Sequence, residues 1–451
     1  MQSRTSPNWT DPVHPDASSA LAASSGPSGG RHVLLLQGPP TTFFNALAAA
    51  FLEAGVPVTR VLLHAGDWLR ARGQGDPYRG RLEAFDDHLD ALMSRERITD
   101  VIYFADRLPY HRVAAEAAAR HGATPYVVEN GYLRPDWLTL EPGGMGAYSR
   151  FPTDRAHIER VARDAPPVDN VIRYRHSFVH EATCDVTYTL ARLLLAPAYP
   201  HYERDRPNHP LKEYASWLPQ LVRRQIARAR APSQLRRIIA VSKPFFLLPL
   251  QLEEDYQIRH NSPYRRMREV VEEVFASFAA HAPAEASLLV KIHPLDNGLE
   301  NWQRTLKRVK RRHGLTGRVR MISAGPLQEM LDHASGVVLV NSTVGLYALR
   351  TGRPVKVLGT AIYDLPGLTD GQPLDAFWRA PSPPDAGYVE DFVRALAKAT
   401  QLKGSFYDPA GVAVAVHEIV RRVLSDVGTS DMFVDPPPRL PSARLGGASA
   451  D

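Results

Sequence analysis

The chain has one cysteine, Cys184, in 451 residues. That excludes an internal disulfide and any multi-cysteine metal site, and it suits a reducing cytoplasm. Cys184 reads as a small core residue. No uninterrupted apolar run reaches the roughly 18 residues that a helix needs to span a bilayer, which excludes a helical membrane span. There is no Asp-x-Asp pair and no close His/Asp ligand spacing, so no metal is implied. Residues 1–30 offer little to bury and lack the basic-then-apolar layout of a secretory signal; the end, "VDPPPRLPSARLGGASAD", is equally poor. Both read as disordered, a leader over 1–30 and a tail over 426–451.

Between them the composition is that of a globular protein, 44% apolar and 23% charged, and the length fits two domains. "RHVLLLQGPP" is a short apolar strand stopped by Gly38 and Pro39; an Ala-rich helix, a stop at Gly55 and a second strand follow. "DVIYFAD", the helix "RVAAEAAARHG" and the strand "TPYVVENG" continue the alternation of a parallel, doubly wound sheet. Residues 151–240 are irregular, helical and basic. The alternation restarts at "PFFLLPLQ" and runs through "ASLLVKIHP", "RVRMIS", "GVVLVNSTVGLYALRTG" and "PVKVLG". The expected fold is therefore α/β: two Rossmann-like domains, 31–150 and 241–425, joined by a helical connection over 151–240 and facing a cleft in the glycosyltransferase-B manner.

In such sheets ligands sit beyond the carboxyl ends of the strands. Gln37, Asp106 and Glu129 fall there in the first domain, with Arg134 and Asp136 just after. In "LLVKIHPLDNG" a strand delivers Lys291 and His293 to one face and stops at Pro294, so a cation and an imidazole converge where an anion would fit. In "NSTVGLYALRTG" Ser342 and Thr343 stand at the start of a helix, with Gly345 beside them, a place that favours a phosphate; an ordinary N-cap accounts for one of the hydroxyls. "PLQLEEDYQIRHNSPY" sets Gln251, Asp255 and Gln257 after a strand, with Ser262 nearby, and "GTAIYDLPGLT" adds Tyr363 and Asp364. A sugar or cytidine suits these groups, and so does a plain helix-capping loop. His64 and His333 read as structural.

The net charge is only +6 but is unevenly placed. Arg223, Arg224, Arg228, Arg230, Arg236 and Arg237 occur with no acid between Leu221 and Ile238, beside Trp217, Leu218 and Ile226; Pro232 should break that helix near its end. Arg304, Lys307, Arg308, Lys310, Arg311 and Arg312 form a second cluster. Such patches attract anionic lipid head groups or nucleic acid, and a solvated helix face is the plain alternative. No nucleic-acid module accompanies them, which ranks lipid first.

Taken together, "LLLQGP", "YFADRLPYHR", "VVENGYLRPDWLTLE", "PFFLLPLQLEEDYQIRHNSPY", "KIHPLDNG" and "NSTVGLYALRTGRPVKVLGTAIYDLPGLT" resemble the capsule polysaccharide Kdo transferases of the KpsS/LipB type, over roughly residues 31–370. The resemblance implies transfer of the sugar acid Kdo from CMP-Kdo to phosphatidylglycerol, which starts the β-Kdo linker of an exported capsular polysaccharide. It implies an acceptor-side first domain, a nucleotide-sugar donor domain second, no cofactor, and a peripheral place on the inner face of the inner membrane, in company with other capsule assembly and export proteins. Glu129 would be the first acid of an acid-acid-glycine motif at the reacting centre, with Asp106 and Asp136 as further carboxylates and Gln37 and Arg134 towards the acceptor. His293 and Pro294 would be the His-Pro motif, Lys291 would face the donor's anionic groups, and Ser342 and Thr343 would hold the phosphate of CMP. The second acid of the motif is Asn130 here. That departure, and motifs shared across CMP-sugar enzymes, leave open a transferase for another sugar acid such as sialic acid, or an inactive glycolipid-binding subunit.

Overall fold

A computed structural model describes residues 30–175, 177–205, 210–241, 244–253 and 255–441; the expected leader, Gly30 apart, lies outside the described residues. Two sheets organise the chain. In the first, β1 (Val33–Leu35), β2 (Val58–Leu62), β3 (Asp76–Pro77), β4 (Asp100–Phe104) and β5 (Thr124–Asn130) are parallel, and β6 (Trp137–Pro142) and β12 (Gln401–Lys403) join antiparallel, in the order β12-β6-β5-β4-β1-β2-β3. In the second, β7 (Phe245–Pro249), β8 (Ser287–Lys291), β9 (Val319–Ile322), β10 (Gly336–Leu339) and β11 (Val355–Val357) are all parallel, in the order β11-β10-β7-β8-β9. This is the two-lobed glycosyltransferase-B layout expected from the alternation.

The strand sequences explain the sheets. Helices cover both faces, so the central strands carry unbroken apolar runs: β1, β7 and β10 are buried throughout. The helices stop where glycine permits a left-handed residue, as at Gly55 (φ 76°) after the helix Phe43–Glu53 and Gly352 (φ 70°) after Val344–Arg350.

Each sheet reverses its winding once. The first proceeds from β1 out to β3, then restarts at β4 on the other side of β1; the second proceeds from β7 to β9 and restarts at β10 on the other side of β7. A crevice opens where winding reverses. Residues after β1 and β4 in one lobe, and after β7 and β10 in the other, are therefore at the ligand-binding positions of the fold.

Three expectations need correction. The second domain does not keep its chain to 425: β12 pairs with β6 of the first sheet, and the helix Pro409–Leu424 packs on Phe43–Glu53. Residues 426–441 of the expected tail are packed too. Phe433 is buried, and the buried Arg439 donates to the carbonyls of Phe151, Pro152 and Ile362, three acceptors that offset the cost of taking a guanidinium out of water. Pro232 sits inside the unbroken helix Pro210–Val241. It is exposed there, so the carbonyl left without its N–H partner can bond water. The same helix buries Ala231, Leu235 and Ile238, so its apolar stripe is partly spent inside the protein. Among the described residues no helix is long and apolar enough to cross a membrane.

Candidate active site

The first lobe supplies carboxylates. β5 carries Glu129 to its end, half-exposed, where Oε1 accepts from Asn130 N at 2.8 Å and Asn130 Nδ2 at 3.0 Å. Burial in the cleft wall pushes its carboxyl up, the Asn130 bonds and the Arg134 guanidinium pull it down, and the neighbouring Asp106 pushes it up again. Asp106 follows Ala105, which holds φ at 60°, a left-handed conformation uncommon outside glycine. The turn drives Asp106 inward: it is 2% exposed, Oδ2 accepts from Met145 N at 2.8 Å, and Oδ1 has no partner. Burial raises its carboxyl, against the pull of Arg107. Asp106 therefore acts on Glu129 through its field from behind the cleft surface. Also buried, Glu141 bonds Ser149 and Tyr132 and is pushed by burial up to about 8.

Asp136 does not belong to this group. Its Oδ1 pairs with Lys403 Nζ at 2.9 Å and its Oδ2 accepts from Arg173 N at 2.6 Å, which ties β12 and the loop before residue 175 to the first sheet. A carboxylate so fully engaged is a fastener. Gln37 likewise turns aside: its Nε2 donates to Tyr188 Oη at 3.2 Å, and that hydroxyl donates to Asp67. His64 caps the helix Ala65–Arg70 through Nδ1, a structural role as expected, whereas His333 is simply exposed. Cys184 is half-buried on the helix Phe178–Leu194 rather than in a core, with Sγ 3.9 Å from His180 Nε2.

The second lobe supplies positive charge. His293 Nδ1 accepts from Leu295 N at 3.0 Å, so the ring proton is on Nε2 and available to an acceptor. Burial, then Lys291, Arg134 and Arg224, push the imidazole down to about 4. It is a neutral donor among three cations, and burial lowers Lys291 as well. Arg134 comes from the first lobe, and its carbonyl accepts from Tyr347 Oη of the second. Pro294 is exposed beyond β8.

At the second reversal of winding, Gln251 and Asn341 clasp the ends of β7 and β10: Gln251 Nε2 donates to Asn341 Oδ1 at 2.9 Å, and Asn341 N donates back to Gln251 Oε1 at 3.2 Å. Gln251, 6% exposed, is thus a brace. Asp255 caps the helix Tyr256–His260 by accepting from Gln257 N. Gln257 Nε2 donates to Tyr256 Oη at 2.8 Å, and that hydroxyl stands 3.5 Å from Glu129 Oε2. Ser342 and Thr343 are half-exposed beyond β10; Ser342 Oγ accepts from Val344 N at 3.3 Å, and Thr343 makes no cap bond of its own. Gly345 is buried, and a Cβ there would collide with Tyr363 Oη, which donates to the Ser342 carbonyl. The glycine is needed by Tyr363, and Tyr363 buttresses Ser342; neither lines a pocket. Ser262 is buried and bonded to Ile258 O and Tyr264 N, while Asp364 bonds Thr369 in a turn.

The structure thus groups Glu129, Arg134, Lys291 and His293, links Gln257 to Glu129 through Tyr256, sets Ser342 and Thr343 beyond β10 and Asp106 behind Glu129, and takes out Asp136, Gln37, Gly345 and Ser262. The sequence reading missed Tyr256, Asn261 and Asn341. Asn261 is fully buried; its Oδ1 accepts from Ala147 N of the first lobe at 2.7 Å and its Nδ2 donates to Gln257 Oε1 at 2.7 Å. One signal was available: Gly146 has φ 57°, and its absent Cβ leaves room for that amide. Among the described residues no cluster of His, Cys, Asp and Glu could hold a metal.

A family model described as capsule polysaccharide biosynthesis protein matches residues 99–407. The capsule polysaccharide modification protein LipB of Neisseria meningitidis serogroup A is 32% identical over 388 residues, 83% of this chain and 91% of that protein. The capsule polysaccharide export protein KpsS of Escherichia coli is 31% identical over 381 residues, 84% of this chain and 97% of that one. Among solved structures, the β-Kdo 2,7 transferase of Thermosulfurimonas dismutans KpsC covers 88% of this chain and 99% of its own at 16% identity with a TM-score of 0.44, a likeness too distant to bear on activity. By the extent of the family match and the identity to LipB and KpsS, the chain belongs to the capsule polysaccharide biosynthesis protein family.

Proposed function

We propose that the chain is a glycosyltransferase that moves Kdo from CMP-Kdo to a lipid acceptor of the phosphatidylglycerol type, laying down the first β-Kdo residue of a capsular polysaccharide linker. The observation that carries this reading is the gathering of Lys291, Arg134 and Arg224 around the neutral His293, in a cleft whose other wall presents Glu129. Such a site suits a donor with a negatively charged leaving group. The capsule roles that LipB and KpsS are named for fit the same reading.

On this reading CMP lies over the ends of β7, β8 and β10, with His293 Nε2–H and Lys291 on its phosphate and the Ser342 and Thr343 hydroxyls beside it. As the glycosidic bond breaks, charge grows on that phosphate, and these groups are already in place to meet it. Glu129 faces the anomeric carbon. It acts as nucleophile, or takes the proton of the acceptor hydroxyl; a β-linked product from a β-configured donor requires net retention. The acceptor is met at the inner face of the inner membrane, where the chain is held reversibly.

The test is direct. The full chain is incubated with CMP-Kdo and phosphatidylglycerol, and CMP release and glycolipid are followed, with CMP-sialic acid as rival donor. Kdo-lipid is expected. No CMP release from either donor would sink the proposal, and turnover of CMP-sialic acid alone would reassign the donor.

A further inference from the structure

The mouth of the cleft carries apolar side chains that the described fold leaves open. Phe178 (49% exposed) and Val179 (71%) begin the helix Phe178–Leu194, and Leu295 (41%) stands two residues after His293. Trp217, half-buried, joins them: its ring centroid is 6.5 Å from that of Phe178, and the Arg224 guanidinium lies over its face at 4.0 Å. Arg224 then donates to the Asp296 carbonyl at 3.3 Å, beside Leu295. A continuous rim thus leads from Phe178 to the strand end that holds His293.

The rim is cationic as well. Arg175, exposed, precedes Phe178 by three residues; Arg228, exposed, is one helical turn beyond Arg224 and shares its face with Trp217. The nearby Asp296 carboxylate is turned inward, accepting from Gly298 N at 2.9 Å and Trp302 Nε1 at 3.1 Å. The far half of the arginine-rich helix has no comparable edge, since Ala231, Leu235 and Ile238 are buried.

We propose that this rim is the surface by which the chain seats itself on an anionic bilayer: Phe178, Val179 and Leu295 enter the boundary of the acyl region, and Arg175 and Arg228 face head-group phosphates. Side chains with an apolar reach and a cationic border are what such an interface takes up. A second copy of the chain fits less well, because an isologous contact would set the same arginines against one another. An anionic surface complements them. The inference rests on the lipid-acceptor reading, and it explains how a lipid head group would reach the cleft without leaving the membrane plane.

The experiment uses the full chain without donor, co-sedimented with phosphatidylcholine vesicles that contain or lack phosphatidylglycerol. Binding is expected only with the anionic lipid, and it weakens as salt is raised. Arg175→Gln with Arg228→Gln should lower the partition coefficient about 30-fold, at roughly fivefold per cation. Val179→Asp with Leu295→Asp should lose binding by about tenfold or more. All four side chains are exposed, so far-ultraviolet circular dichroism and the unfolding midpoint should stay at parent values; if the aspartates disturb folding, Val179→Ser with Leu295→Ser serves instead. Equal binding by parent and variants, no binding by the parent, or a parent dimer that the variants convert to monomer would each overturn the proposal. A chain that binds vesicles through this rim yet leaves CMP-Kdo intact keeps the surface and loses the transferase reading.

Discussion

Replacing His293 with alanine tests the donor site at its most exposed assumption. The Leu295 N–H fixes Nδ1 as an acceptor, so Nε2 carries the proton, and with a pKa of about 4 the ring is neutral at pH 7. A neutral N–H that donates to a phosphate oxygen contributes about 1.5–3 kcal/mol, the range for bonds to charged groups, which is about 10-fold to 150-fold in Kd. Folding should change little, because Leu295 is exposed and its freed N–H can bond water. Titration calorimetry of CMP against parent, His293→Ala and His293→Gln measures this, glutamine restoring part of the loss through its own N–H. The pH dependence carries a sign. A bound phosphate favours the imidazolium, so the pKa is higher in the complex than in the free protein, and CMP affinity should rise as pH falls through the bound-state value. Equal CMP affinity for parent and His293→Ala, with no pH dependence in the parent, would remove His293 from the donor site.

Glu129→Gln should keep the fold and CMP affinity while abolishing Kdo transfer, since it removes charge and keeps shape; near-normal turnover would exclude Glu129. Asn261→Ala leaves Ala147 N and Gln257 Oε1 without partners and should cost about 2–6 kcal/mol in urea unfolding, from about 1–3 per unsatisfied group. A loss under about 0.5 kcal/mol would show that Asn261 does not clasp the lobes. Stability should peak near the ordinary histidine pKa. His64, His111, His260 and His293 are all held down to about 4, so below about 6.5 the unfolded chain binds more protons and stability falls as pH drops towards 4. Glu141 and Glu253, raised to about 8 and about 7, bind protons in the folded state and contribute stability that is lost as pH rises through those values. Chemical unfolding at a series of pH values checks this; stability that climbs steadily from pH 6.5 to 8.5 would refute it.

The sheets were legible because the central parallel strands, β1, β7 and β10, are buried throughout and write unbroken apolar runs, while glycines such as Gly55 and Gly352 mark the helix ends. The strand-end positions of Glu129, Lys291 and His293 were legible for the same reason: a strand's end is where its apolar run stops. What each polar residue does there was not. Asp136 and Glu129 lie seven residues apart in one motif, yet one is consumed by Lys403 from the far end of the chain, a partner that no local pattern reveals. Asn261 drew no reading of its own because its partner, Ala147, donates through a backbone N–H that any residue type would supply, and only the neighbouring Gly146 hints at the contact. Arg439 was lost in a Pro-rich, Ser-rich context, although one guanidinium that reaches three carbonyls suffices to fasten such a segment.

Asn130 bears on whether the site can be active at all. The acid-acid-glycine pattern would place a second carboxylate here, and an amide cannot act as base or nucleophile. Its neighbours give it another use. Glu129 is already opposed by burial and by Asp106, both of which favour the protonated form, whereas a nucleophile or base must be ionised. A further carboxylate at 130 would add to that opposition. The amide instead donates through Nδ2 to Glu129 Oε1, alongside its own backbone N–H, and leaves Oε2 towards Tyr256 and the cleft. The substitution that cast doubt on the motif therefore works against the burial of its one remaining acid and aims it, and a single carboxylate can serve as base or as nucleophile.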